Sequence, residues 1–153
     1  MDQFDQDMQA EKANVELRKV MLRFNLITDD EDRYPLAKAL FAAKVVVPLL
    51  QNEDDPDGLP FYGSMFKHAN GVEFHVYTSV QFIPERITAP DVSYYPFVEL
   101  MENILADSAV TMVRIDPGTD HGVGILIENG QPFLFRQKRV EDYMRERGID
   151  FLE

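Results

Sequence analysis

Apolar and polar positions are most legible between 110 and 135, where the chain reads VTMVRID, PGTDHG and VGILIENGQPFLF. An apolar run stops at Asp116-Pro117-Gly118, and the pattern restarts at Val123. Proline pre-sets φ near about −65° at the second position of a turn, and glycine accepts the positive φ that a type II turn needs next. Asn129-Gly130 then separates two further apolar runs, the strongest short hairpin signal. The pattern predicts strand, tight loop, strand, two-residue turn, strand, with the other elements packed on that sheet.

The rest of the chain can be placed around it. Residues 2–11 are acidic and expected to fray. From Asn14, helical periodicity sets in: Val15, Leu17, Val20, Met21, Phe24 and Leu26 recur at three- and four-residue steps. The acidic run 28–32 breaks that pattern and supplies an N-cap and first-turn carboxylates for a second helix over about 30–43. Tyr34, Ala37, Leu40 and Phe41 are expected to face inward. Residues 45–50 read as a buried strand in which Pro48 marks an edge or a bulge. After an acidic loop, 52–58, the runs 61–69 and 72–79 flank Asn70-Gly71. A two-residue turn there pairs Met65 with Val76 and His68 with Glu73. It sends Val72, Phe74 and Val76 to one face and Glu73, His75 and Tyr77 to the other. A short helix or turn is expected over 80–88 and a loop over 89–95. Phe97, Leu100, Met101, Ile104 and Leu105 then mark an amphipathic helix, with Pro96 near its first position. The chain closes on a basic helix, 137–148, that Gly148 stops. The order implies an α+β fold: a mixed or largely antiparallel sheet with hairpins, packed against three to four helices. As organisation, an acidic, frayed N-terminus over 1–13 precedes one α+β domain over 14–153.

Composition narrows the function classes. With 153 residues and 45% apolar content, the chain can bury a proper core. Fifteen basic residues stand against twenty-seven acidic ones, for a net charge of −12. That balance argues against nucleic acid, whose phosphates are bound by clustered cations, and against an anionic membrane surface. It suits a self-repelling protein or one that meets a basic partner. There is no cysteine, so disulfides, thiol catalysis and cysteine-ligated metals drop out. The acidic start is the reverse of a signal peptide. The longest apolar runs, such as 41–50, fall short of the roughly 18 residues of a membrane helix. The expected location is cytoplasmic.

Candidate chemistry is sparse. The loop 53–58 resembles the start of a calcium loop, but position 12 from Glu53 is Ser64 and Pro56 falls inside it; it reads as a solvated connection. Asp116, Asp120 and His121 gather at the central bend, where two carboxylates and an imidazole could hold a divalent ion or run acid–base chemistry. The simpler reading is turn capping by Asp116. Gly118, Gly122 and Gly124 make no phosphate-binding fingerprint, and no P-loop lysine follows. Gly122 and Gly124 share a strand face that another segment can approach closely. His68, His75, Tyr77 and Ser79 read as decoration on a surface hairpin, and no G-x-S-x-G elbow is present. Arg136, Lys138, Arg139, Arg145 and Arg147 form a cationic patch. It could satisfy a helix dipole, bind an acidic partner, or bind the acidic N-terminus in cis or across a dimer.

Four short features, in order, resemble the N-terminal domain of the SseB (enhanced serine sensitivity) family. They are the helical pair leading to Lys44-Val-Val-Val-Pro48, the FTS-like Val76-Tyr77-Thr78-Ser79, the NPG-like turn Ile115-Asp116-Pro117-Gly118, and the continuation Thr119-Asp120-His121-Gly122-Val123. The resemblance covers roughly residues 14–135. It departs at Asp116, where the family has Asn, and at Tyr77, where it has Phe, and no property of the longer members' second domain carries over. It implies an intracellular bacterial α+β domain without an assigned catalytic centre, an accessory or binding protein. The leading expectation is therefore a non-catalytic binding or protein-interaction module that uses Tyr77, Ser79, Asp116, Asp120 and His121 as its surface. No catalytic residue, metal or cofactor is called for. The partner would be an unidentified protein, with room for a homodimer. The alternative is an acidic secretion-type chaperone holding an export substrate, with Met8, Met21, Met65, Met101 and Met112 as an adaptable apolar surface. A third, enzymatic reading needs a pocket holding Asp116, Asp120 and His121 or His75.

Overall fold

The structure, a computed structural model, describes residues 2–26, 33–50, 61–62, 65–68, 71–85, 91–106 and 110–136. Two helices come first, α1 (Gln3–Leu26) and α2 (Arg33–Phe41). Strands β1 (Lys44–Leu50), β2 (Phe61–Tyr62), β3 (Met65–His68) and β4 (Gly71–Val76) follow. A 3-10 turn, Val80–Phe82, leads to β5 (Asp91–Pro96) and α3 (Phe97–Ala106). The chain then runs through β6 (Val110–Ile115), β7 (Val123–Glu128) and β8 (Gln131–Arg136). One sheet is ordered β3-β4-β6-β7-β8 and the other β2-β1-β5. Among the described residues β4 and β6 pair in parallel and the other ladders are antiparallel. This is the α+β, mixed-sheet architecture expected, with three α-helices among the described residues. None of them is long and apolar enough to cross a membrane.

The 110–135 stretch folds as its turn chemistry dictates. Thr119 N–H reaches back to the Asp116 carbonyl at 3.3 Å, and Gly118 sits at φ 83°, which makes Asp116–Thr119 the turn anticipated. Asn129 and Gly130 both have positive φ, 54° and 74°, and Glu128 pairs with Gln131 across them, a two-residue hairpin.

Elsewhere tertiary contacts override local pattern. Residues 2–11 do not form an irregular tail. Asp2 accepts the Asp5 N–H at 2.9 Å, so α1 is capped and starts at Gln3. In α2 the buried pair is Leu36 and Leu40, whereas Tyr34 and Phe41 are each 72% exposed. The four-residue step between the two leucines, with Ala39 and Ala43 packed beside them, sets the face that meets the core. The 89–95 loop is replaced by β5, which pairs with β1 from Lys44–Pro96 to Leu49–Asp91. Val92, Tyr94 and Tyr95 are strand formers, and Pro96 ends the strand and leads into α3 rather than signalling a loop.

Pro48 does not make β1 an edge strand, since β1 is central in its sheet. Its missing N–H falls between the Val46–Tyr77 bridge and the Leu49–Tyr62 pair, a gap in the ladder where a proline is tolerated. The β3–β4 register is also shifted by two: Met65 pairs with Phe74 and His68 with Gly71. Gly71 is thus a strand residue with φ 140°, and a Cβ there would lie 2.4 Å from Thr111 Cγ2.

The core joins α1, α2, α3 and one face of the larger sheet, through Leu17, Met21, Leu36, Phe74, Leu100 and Val113 among others. The opposite face of β4 is not the solvated surface anticipated. Glu73, His75 and Tyr77 are buried, as is Ser79 beyond the strand end. The N-cap run 28–32, the acidic loop 52–58 and the basic segment 137–148 lie outside the described residues.

Candidate functional site

Asp116 follows β6 and extends its parallel pairing, donating its N–H to Val76 carbonyl at 3.0 Å. It stands at φ 49°, a left-handed conformation that Asp tolerates better than most residues. This aims its side chain inward, where it is fully buried. Carboxylate Oδ1 accepts the Thr78 N–H at 2.8 Å, and Oδ2 accepts the Thr78 hydroxyl at 2.5 Å and His121 Nε2 at 2.8 Å. An ionised carboxylate only accepts, so Nε2 of His121 carries the proton. The Asp116 carbonyl in turn accepts the Thr119 hydroxyl at 2.7 Å.

Helix α1 closes this knot from outside. Arg18 Nη1 donates to the Thr78 hydroxyl at 3.1 Å and to its carbonyl at 3.4 Å. Asn14 Nδ2 bridges the carbonyls of Lys44, at 2.8 Å, and Thr78, at 2.9 Å. Phe82 meets His121 edge-on at 5.0 Å, with the Arg18 guanidinium 5.3 Å above its ring. Farther along, Asn25 Nδ2 holds the carbonyls of Asp120 at 3.1 Å and Gly122 at 2.7 Å. Arg136 Nε caps the helix by donating to Phe24 carbonyl at 2.9 Å.

Of the five residues expected to form one surface, the structure brings Asp116 and His121 together. Asp120 is exposed, and its backbone carbonyl accepts from Asn25 Nδ2. Tyr77 is buried and bridges β1 through both backbone groups, at 2.7 and 3.1 Å with Val46. Ser79 caps the 3-10 turn, accepting from Gln81 N–H. The set resembles an Asp–His–hydroxyl triad in composition but not in wiring. The Thr78 hydroxyl donates to the carboxylate and not to the imidazole, so the hydroxyl–imidazole pair of such a triad is not formed. The arrangement ties the β6–β7 bend, the end of β4 and α1 into one rigid unit.

Sequence reading missed Thr78, Arg18 and Asn14. Asn14 left a trace: it interrupts an otherwise apolar seam of Ala10, Leu17, Met21 and Phe24 on α1. A second polar centre, also unanticipated, lies on the opposite face of the larger sheet. There Glu73 Oε1 stands 2.6 Å from His75 Nε2 and 3.6 Å from Arg114 Nη1, all three residues buried.

An open apolar feature lies elsewhere. A groove of about 600 Å³ lies between α2, α3 and β8, floored by Leu40, Phe97, Met101 and Leu134. Phe41 and Phe133 line it while remaining 72% and 47% exposed. Arg33 sits at one side, donating to the Leu134 carbonyl at 2.9 Å, and Glu102 at another. Of the methionines expected to give an adaptable surface, the side chain of Met65 lies outside the described residues and Met8 is on the exposed side of α1. Met21 and Met112 are buried, and among the described side chains Met101 is the methionine that lines the groove. No protein-family model matches this chain, and no curated protein or solved structure matches it.

Proposed function

We propose that this protein is a non-catalytic interaction module whose groove between α2, α3 and β8 takes a basic amphipathic helix from a partner protein. The observation that carries the reading is the contrast in availability. The carboxylate–imidazole pair is enclosed and bonded internally, whereas Phe41 and Phe133 stand exposed beside an open apolar groove. Large exposed apolar side chains around a concave apolar surface mark interaction sites. A helix laid into such a groove is a recurrent recognition mode. Charge selects the partner: the protein carries −12 overall, and α3 presents Glu99 and Glu102 on its exposed side. With ten residues, α3 is about 15 Å long, which matches some three turns of a partner helix. The SseB-like pattern read from the sequence points to the same class.

The test is fluorescence anisotropy of the full chain with a labelled 14-residue amphipathic peptide, leucine on one face and lysine on the other. Binding in the micromolar range is expected, weakened about tenfold by Phe41→Ser together with Phe133→Ser and less by Glu102→Lys. The matching leucine–glutamate peptide should bind more weakly. The reading is overturned if the wild type leaves the lysine peptide unbound, if the rim substitutions change nothing, or if the groove takes up a small apolar dye and no peptide.

A further inference from the structure

Helix α1 has three lengthwise sectors. Ala10, Leu17, Met21 and Phe24 face the core. Beside them Glu11, Asn14, Arg18 and Asn25 tether the helix by side-chain bonds to Tyr94, Lys44, Thr78 and Asp120. The third sector is apolar and open: Phe4 is 70% exposed, Met8 44%, Val15 44%, Leu22 38% and Leu26 75%. At about 100° of turn per residue these five fall within an arc of roughly 40°, centred about 150° around the helix from the core-facing seam. Every α1 position in that arc is apolar. A solvated helix face is normally polar there.

We infer that α1 pairs with α1 of a second copy of this chain, antiparallel, about a two-fold axis at Val15. Two properties choose this occupant. The first is symmetry. Met8 and Leu22 lie equally far on either side of Val15, and so do Phe4 and Leu26. A two-fold interface must be self-complementary. Here Val15 meets its own copy, Met8 meets Leu22, and Phe4 meets Leu26, over a length of about 33 Å.

The second is charge. On a chain of net charge −12, copies repel, yet α1 is neutral and its charges are segregated. Residues 3–14 carry Asp5, Asp7 and Glu11 against Lys12; residues 15–26 carry Arg18, Lys19 and Arg23 against Glu16. Antiparallel pairing sets the acidic half on the basic half, while parallel pairing sets like on like. The helix dipole alone would favour the same segregation, but it does not call for the apolar stripe or its symmetry. The contact uses five side chains from each copy and little else, so a weak dimer is expected, with a dissociation constant on the order of 10 μM.

Absence of cysteine from the natural chain makes the geometry directly testable. Single substitutions Val15→Cys and Met8→Cys, oxidised with diamide, should behave differently. Val15→Cys should give covalent dimer; Met8→Cys alone should give little, but should cross-link to Leu22→Cys when the two are mixed. Sedimentation equilibrium should show the wild-type dimer. Val15→Glu, on an exposed position, should raise its dissociation constant at least about tenfold with an unchanged circular dichroism spectrum. A wild type monomeric at 200 μM, a dimer indifferent to Val15→Glu, or self-cross-linking of Met8→Cys as efficient as that of Val15→Cys would each overturn the inference.

Discussion

The bend at Asp116 and the groove beside α3 make an instructive pair. The bend holds the residues that attract chemical attention: a carboxylate, an imidazole, two threonine hydroxyls and, from α1, a guanidinium. Every one of them is engaged within the fold. The groove is lined mainly by apolar side chains, and there Phe41 and Phe133 are left in solvent. Reactivity of residue type is therefore a poor guide to availability. A polar group in the interior must find partners, and once it has them it acts as a fastener. An apolar group in solvent has no such partner and stays open to association.

The largest effect that could break this contrast is loss of the fastener. Asp116→Ala removes the acceptor of the Thr78 N–H, the Thr78 hydroxyl and the His121 Nε2–H. It strands buried donors, at about 1–3 kcal/mol for a buried group left unpaired. It also puts alanine at φ 49°, where it is strained. Denaturant unfolding should show a loss of about 3 kcal/mol. His121→Ala, which leaves both Thr78 bonds in place, should lose about 1 kcal/mol. A stable, fully folded Asp116→Ala protein with altered partner binding would reverse the assignment and make the bend a recognition site.

What was legible in the sequence follows the same division. Pro117-Gly118 and Asn129-Gly130 act through their own backbone preferences, so their turns could be read without knowing the fold. Asn70-Gly71 has the same letters as Asn129-Gly130, yet Gly71 is a strand residue. Thr111 lies so close that a Cβ would collide with it, and Thr111 comes from a strand forty residues on. The bend was located correctly, but its fastening was not. Asp116 takes its bonds from Thr78, and Thr78 takes its own from Arg18 and Asn14, which are sixty or more residues away in sequence. The exposed faces of α2 failed for the matching reason: either helical face carries enough apolar residues, and only packing against α1 and the sheet selects Leu36 and Leu40.

A smaller effect sharpens the polar side of the contrast. Tyr94 on β5 donates its hydroxyl to Glu11, tethering the sheet to the N-terminal half of α1. Burial, reinforced by the Glu11 carboxylate, raises the phenol above its ordinary value of 10.0. The folded state therefore holds this proton more tightly than the unfolded chain. Its contribution is complete below about pH 10 and is lost as pH rises above that value. Wild-type unfolding free energy should fall more steeply between pH 10 and 11 than that of Tyr94→Phe, measured by denaturant titration at each pH. Equal slopes would show that this tether does not contribute.

The smallest stability effect is expected where the functional effect is largest. Phe41→Ser removes an aromatic ring that is 72% exposed, so little apolar area leaves the folded core and the unfolding free energy should shift by no more than about 0.5 kcal/mol. The same ring covers one side of the groove, so affinity for the lysine–leucine peptide should drop several-fold. Asp116→Ala should do the opposite, lowering stability while the folded fraction binds the peptide normally. If Phe41→Ser instead destabilised the protein as Asp116→Ala does, the ring would be serving the fold. The groove would then be a seam of the core and no longer an open surface.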